Sequence, residues 1–248
     1  MYQVSLSAGA EYSSWLYALE KKLRNKLNES ALIVTRNEPK RVYIAIACEN
    51  QAKRKISKEI FESLLDVFAS LSKQHYYLEN LHLPLLCEEK YNILLAALIE
   101  FDSISDRSLI KESFVLENGL SIDGIYNFAF KKVKSRWQEI GDLTKENASF
   151  LSDNEIFFEL IKYLFSAICP KIEKALCLFD GKKYLLYEPN NTCPIAEANN
   201  EEELFCTLIK TAPIYLELSG DIKKDTLIKL NTIFKNNEEE SFNLKKRV

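Results

Sequence analysis

Glycine and proline are scarce in these 248 residues, six of each, and there are one methionine, two tryptophans and two histidines. So few chain breakers exclude collagen-like and low-complexity architectures. No Cys-x-x-Cys pair occurs, which removes the zinc-ribbon and thioredoxin-like readings. No Gly-x-Gly-x-x-Gly run is present to hold a dinucleotide. The longest apolar stretches are interrupted by charge well short of the ~20 residues that a membrane span needs. The first thirty residues lack the basic start and apolar core of a secretory signal. With 33 basic and 36 acidic side chains the net charge is -3, so no global field selects or rejects a polyanion.

What is present is an ordinary globular composition, 47% hydrophobic and 28% charged. The six cysteines, Cys48, Cys87, Cys169, Cys177, Cys193 and Cys206, are irregularly spaced, and most sit in apolar runs. Reduced, buried thiols in a cytoplasmic, soluble protein are expected.

The pattern predicts a mixed α/β (α+β) fold with a small N-terminal α/β unit (1–50), a mainly helical region (51–150) and a C-terminal α/β region (151–248). The last two are either separate or one continuous domain. Tyr2 to Leu6 reads as a strand, and Trp15, Leu16, Leu19, Leu23 and Leu27 recur at helical spacing. Ala31 to Thr35 and Arg41 to Cys48 read as strands of a hairpin around Asn37-Glu38-Pro39-Lys40. Helices are expected from Ser57, over Glu88 to Phe101, and from near Asp123, where Tyr126, Phe130, Val133, Trp137 and Ile140 share a narrow arc. Ser152-Asp153-Asn154-Glu155 has the spacing of a capping box opening a helix that runs toward Pro170. Asp180-Gly181 between Ala175–Phe179 and Lys182–Tyr187 predicts a type I′ hairpin. A helix near Glu201 to Lys210, a strand Ile214 to Leu218 and a helix Lys223 to Lys235 follow. The charged tail, Glu238-Glu239-Glu240 and Lys245-Lys246-Arg247, is expected to fray.

Each candidate for chemistry has a plainer explanation. His75, His82 and Cys87 match no common zinc spacing, and a Cys–His nucleophile would need a third, orienting residue that the sequence does not indicate. Gly119 and Gly124 have the separation of P-loop glycines, but Ile125 and Tyr126 stand where Lys and Ser/Thr must follow. Glu88-Glu89, Glu155 with Glu159, and Glu201-Glu202-Glu203 fit helix starts, where negative charge complements the dipole. The best nucleic-acid candidate is Lys131, Lys132, Lys134 and Arg136 beside Trp137. Trp137 belongs to the buried stripe, and the cations spread over the opposite face as a solvated surface would. No catalytic residue, metal ligand or cofactor site is assigned.

The segments Ile122-Asp123-Gly124-Ile125-Tyr126-Asn127-Phe128 and Glu155-Ile156-Phe157-Phe158-Glu159-Leu160-Ile161-Lys162-Tyr163 resemble the YtxC-like family of sporulation proteins from endospore-forming bacteria. The likeness continues through Pro170-Lys171-Ile172, Asp180-Gly181, Leu208-Ile209-Lys210-Thr211-Ala212-Pro213 and Leu227-Ile228-Lys229-Leu230 to Phe234, about residues 120 to 236. An Arg of the family's pattern is replaced here by Ala129. The resemblance implies a setting, the cytoplasm of a sporulating cell, and supplies no mechanism. The expectation is a non-enzymatic protein-interaction module with an unidentified protein partner. Nucleic-acid or nucleotide binding through residues 131–136 is the alternative, and a cryptic enzyme the third reading.

Overall fold

The computed structural model describes residues 1–234, so the expectation for the charged tail lies outside the described residues. In chain order the elements are β1 (Tyr2–Gly9), α1 (Ser13–Leu27), β2 (Leu32–Asn37), β3 (Arg41–Cys48), α2 (Lys53–Val67), α3 (Lys73–Asn80), α4 (Glu88–Glu100) and α5 (Ser103–Ser113). They continue with β4 (Leu120–Ser121), the single turn α6 (Ile122–Gly124), α7 (Lys131–Glu146), α8 (Asn154–Ser166), β5 (Ile172–Phe179), β6 (Tyr184–Tyr187) and β7 (Ala196–Ala198). α9 (Glu201–Thr211), β8 (Pro213–Ser219) and α10 (Lys224–Phe234) complete them. The fold is α+β, with helices predominating over two small mixed sheets. It divides into two compact units, Met1–Leu81 with Ser103–Asp142, and His82–Asp102 with the chain from Leu143 onward.

The first unit is a sheet in the order β2-β3-β1-β4. Period-two alternation in β1 and β3 sends Val4, Leu6, Ala8, Val42, Ile44 and Ile46 to one face, where they are buried with the α1 stripe Trp15, Leu16, Leu19 and Leu23. The hairpin between β2 and β3 closes with reciprocal backbone hydrogen bonds between Glu38 and Arg41. Pro39-Lys40 is therefore a two-residue loop, and Pro39 has no amide hydrogen to lose there.

The expected helix from Asp123 is broken. One α turn is followed by a wide π turn, Ile125–Ala129, and Phe130 leaves helical geometry at ψ +26° before α7 starts. The first turn is tied to the sheet, because the Arg41 guanidinium donates to Asp123 Oδ1 at 2.6 Å and to Ser121 Oγ at 2.7 Å. The change of period still buries Tyr126, Phe130, Val133 and Trp137, so the stripe survives where the continuous helix does not.

The second unit carries the sheet β7-β6-β5-β8, with β5 antiparallel to β6 and parallel to β8. The α8 N-cap is Asp153, whose Oδ1 accepts from the amides of Glu155 and Ile156, so the cap falls one residue later than the expected box. An aspartate carboxylate outcompetes a hydroxyl for those amides, and it adds favourable charge at the helix start. α8 ends at Ser166, ahead of the Pro170 stop.

The β5–β6 loop also differs from its expected form. Asp180 N donates to Lys183 O, so the central residues are Gly181 and Lys182. Gly181 has φ +93° and Lys182 is not in the positive-φ region, whereas type I′ needs positive φ at both central positions. Asp180 Oδ1 holds the turn by accepting from the Lys182 and Lys183 amides.

Candidate functional site

The four cations predicted on α7 do not form one patch. Val133 and Trp137 are buried; Lys131 and Lys132 are exposed. Lys134 is half-buried, with Nζ 3.6 Å from the centre of the Tyr126 ring. Burial pushes its ammonium down from the ordinary lysine range, while the Glu79 carboxylate pulls the other way. Arg136 is also half-buried, and its charge reaches the buried Tyr77 hydroxyl. Phe128 was not singled out as a site residue, yet it stands 78% exposed three residues before Lys131.

His75 belongs to a packed cluster. Its ring and those of Tyr12, Trp15 and Tyr126 lie 4.9 to 5.8 Å from one another in every pairing, and its Nε2 is 3.2 Å from Glu79 Oε1. Such edge-to-face contacts fill space and leave no cage. Burial raises the Tyr12 and Tyr126 hydroxyls above the usual phenol range, with a hydrogen bond to Asn127 partly offsetting the rise at Tyr12. His82 and Cys87 are exposed, and no three His, Cys, Asp or Glu side chains among the described residues are placed to hold a metal.

Gly119 adopts φ +83° in the approach to β4, and Gly124 follows the Ser121 cap, where a Cβ would meet Ser121 Oγ at 3.1 Å. Both act in local geometry. Cys48 and Cys177 are buried and Cys206 is half-buried, but Cys87, Cys169 and Cys193 are exposed, so half of the thiols depart from the expected burial. Desolvation pushes the Cys177 thiol up to about 12 and the Cys206 thiol up to about 11, which makes both poor nucleophiles.

The feature the sequence reading passed over is the outer face of the first unit's sheet. Register places Leu32, Ala47 and Gln3 in one row, Val34, Ala45 and Ser5 in the next, and Arg36, Tyr43 and Ser7 in the third. Leu32 is 67% exposed and Val34 52%. Tyr43 is exposed as well, and the alanines between them are half-buried. An antiparallel sheet normally turns polar residues to water on its open side. Here that holds for β1 and fails for β2 and β3. A signal existed in the sequence: Leu32-Ile33-Val34 is a continuous apolar run, which gives both faces of β2 apolar side chains. The outer edge of β2 is blunted, since the Arg24 guanidinium donates to the Ile33 carbonyl at 3.2 Å.

Compared with known protein families, curated proteins and solved structures, the chain shows no significant match to any of them. Among the described residues no helix is long and apolar enough to cross a membrane.

Proposed function

We propose that this protein is a non-enzymatic interaction module that takes the apolar side of an amphipathic helix from a partner protein onto the open face of the β2-β3-β1 sheet. The exposure of Leu32 and Val34 beside Ala45 and Ala47 carries this reading. Three strands span about 14 Å, close to the 10–12 Å diameter of one helix with its side chains. The Arg24 guanidinium occupies one carbonyl of the β2 edge, which favours docking on the face over strand addition. Burying Leu32 and Val34 contributes on the order of 1–3 kcal/mol each. We further propose a sporulating cell's cytoplasm as the setting, on the sequence likeness of residues 120 to 236 to YtxC-like proteins alone, since no family model matches the chain.

The test is affinity capture from sporulating cells with the wild-type chain and with the Leu32→Lys/Val34→Lys variant, followed by mass spectrometry. A partner retained by the wild type and lost by the variant, with an unchanged melting curve, is expected. Identical capture by both proteins overturns the reading.

Exposed Phe128 next to Lys131 and Lys132 favours single-stranded nucleic acid as a second reading, a ring for stacking beside two phosphate-binding cations. Two lysines correspond to a slope of about -1.4 in log K against log salt, half that of four contacts. Absence of RNA binding at low salt removes it.

A further inference from the structure

Each of the two sheets ends in two edge strands, and three of these four are short or partly occupied. β4 and β7 have two and three residues, and in the six-residue β2 the Arg24 guanidinium takes the Ile33 carbonyl. β8 is the longest at seven residues, and among the described residues it hydrogen-bonds to a strand, β5, on one side only. A strand in that position presents a row of amide and carbonyl groups to any chain that can pair with it.

The side chains of β8 are not those of a protected edge, which typically carries lysine, a mid-strand proline or an uncompensated charge. Its proline, Pro213, is the first residue of the strand, and its single charge, Glu217, is compensated by Lys174 of β5 at 2.7 Å. Register sets Leu216 beside Ala175 and Leu218 beside Cys177, both fully buried, so this side of β8 belongs to the core face. Leu216 and Leu218 are nevertheless only half-buried, and Ile214, on the same side by alternation, is 51% exposed. On the other side Tyr215 is 49% exposed. Among the described residues the apolar row of the core therefore runs out to the sheet edge and stops there uncovered.

In Ile214-Tyr215-Leu216-Glu217-Leu218 the apolar positions read the same in both directions about Leu216. An antiparallel copy related by a two-fold axis at Leu216 sets Ile214 against Leu218 of the second copy, Leu216 against its own counterpart, and Tyr215 against Glu217. Apolar side chains then meet on the core side. No charge directly opposes a like charge, since Glu217 faces a tyrosine and keeps Lys174 beside it. The contact is isologous, so it closes after two copies and covers both free edges, whereas head-to-tail addition would leave an edge open and propagate. We propose that β8 pairs antiparallel with β8 of a second copy of this chain about Leu216, joining their two four-stranded sheets into one. A strand pair of this length buries less than the about 1,200–2,000 Å² of a standard interface, so the dimer is a reversible one that forms at micromolar concentration or above.

The experiment is sedimentation equilibrium of the full chain from low micromolar to near-millimolar concentration. The wild type is expected to dimerise and to form nothing larger. Tyr215→Glu sets a carboxylate opposite Glu217 twice in each dimer and should weaken association about tenfold, and Tyr215→Lys, which sets an ammonium there, should strengthen it by a similar factor. Tyr215→Glu/Glu217→Lys restores opposite charges across the axis, with the new carboxylate in register with Lys174, and should return the dimer to near wild-type strength. Tyr215 and Glu217 are both exposed, so the fold should tolerate these changes and the melting curves should agree. The inference fails if the chain stays monomeric throughout, if it grows beyond a dimer, if Tyr215→Glu and Tyr215→Lys associate alike, or if Leu32→Lys/Val34→Lys removes the dimer and Tyr215→Glu does not. A monomeric result leaves the Leu32–Val34 reading standing, because partner capture tests that surface separately.

Discussion

Lys73 Nζ lies 2.6 Å from Asp106 Oδ2, and neither side chain is more than 1% exposed. The pair joins α3 to α5 inside the first unit, where the Asp106 charge also acts on the buried Tyr77 hydroxyl. Two buried charges return little net stability when paired, because desolvation offsets most of their attraction, but a single survivor is very unfavourable. Lys73→Met alone is expected to cost about 3–5 kcal/mol in urea unfolding, and Asp106→Leu a similar amount. The double variant should recover most of the loss. If it is no more stable than either single variant, the pair has no such coupling.

Acid sensitivity should trace to Asp66. Burial would raise its carboxyl, but the hydrogen bonds and charges of Lys22 and Arg107 outweigh that and hold it below the usual carboxylate range. Asp123 is held low as well, against the opposing effect of burial, by the hydrogen bond from the Ser121 hydroxyl first and by the Arg41 guanidinium at 2.6 Å after it. For a carboxyl depressed in the folded state, the stabilisation is present above the unfolded value, about 3.9 for Asp. It is lost as pH falls through the lower folded value, where the unfolded chain takes up the proton first. Urea midpoints measured from pH 6 to pH 2 should fall below about pH 4, and Asp66→Asn should flatten that decline. An unchanged profile in this variant would show that other groups govern acid unfolding.

Helix α8 offers a test of one residue against its neighbour. Asp153→Ala removes the carboxylate that accepts from two amides and should cost about 1 kcal/mol. Ser152→Ala should stay within about 0.5 kcal/mol, as surface changes away from a cap do. Chemical denaturation of both variants decides this, and the reverse order would return the cap to Ser152.

Gly220 and Gly181 have nearly the same positive φ, +94° and +93°, in different surroundings. A Cβ on Gly181 meets nothing within 4 Å, whereas one on Gly220 would fall on the Phe179 carbonyl oxygen. Gly181→Ala should therefore cost only the backbone strain, about 1–2 kcal/mol, and Gly220→Ala clearly more. Equal melting temperatures for the two variants would contradict the close approach of the chain at Phe179.

Much of the local structure was legible along the chain because it depends on near neighbours. The α1 stripe, the strands β1 and β3, and the start of α9 at Glu201 all follow from periodicity and cap chemistry. Local pattern misled where a tertiary contact competed with it. Arg41 reaches 82 residues along the chain to anchor Asp123, and the helix expected there becomes a π turn and a break at Phe130. The α7 cations were legible as residues but not as a surface, since only the packing of Tyr126 under Lys134 shows that the face is divided.

The sequence by itself determined an α+β composition and many of its elements with their apolar faces, though not α5, β4 or β7, because hydrophobic period and turn chemistry are properties of short stretches. Tertiary structure alone decided which faces remained open. Leu32 and Val34 look like any buried strand residues until strand order and register leave them uncovered, and Glu89, Lys182 and Lys223 line one cleft only because strands and helices distant in sequence converge there. Burial and the grouping of side chains from distant segments are fixed by packing and absent from any local pattern.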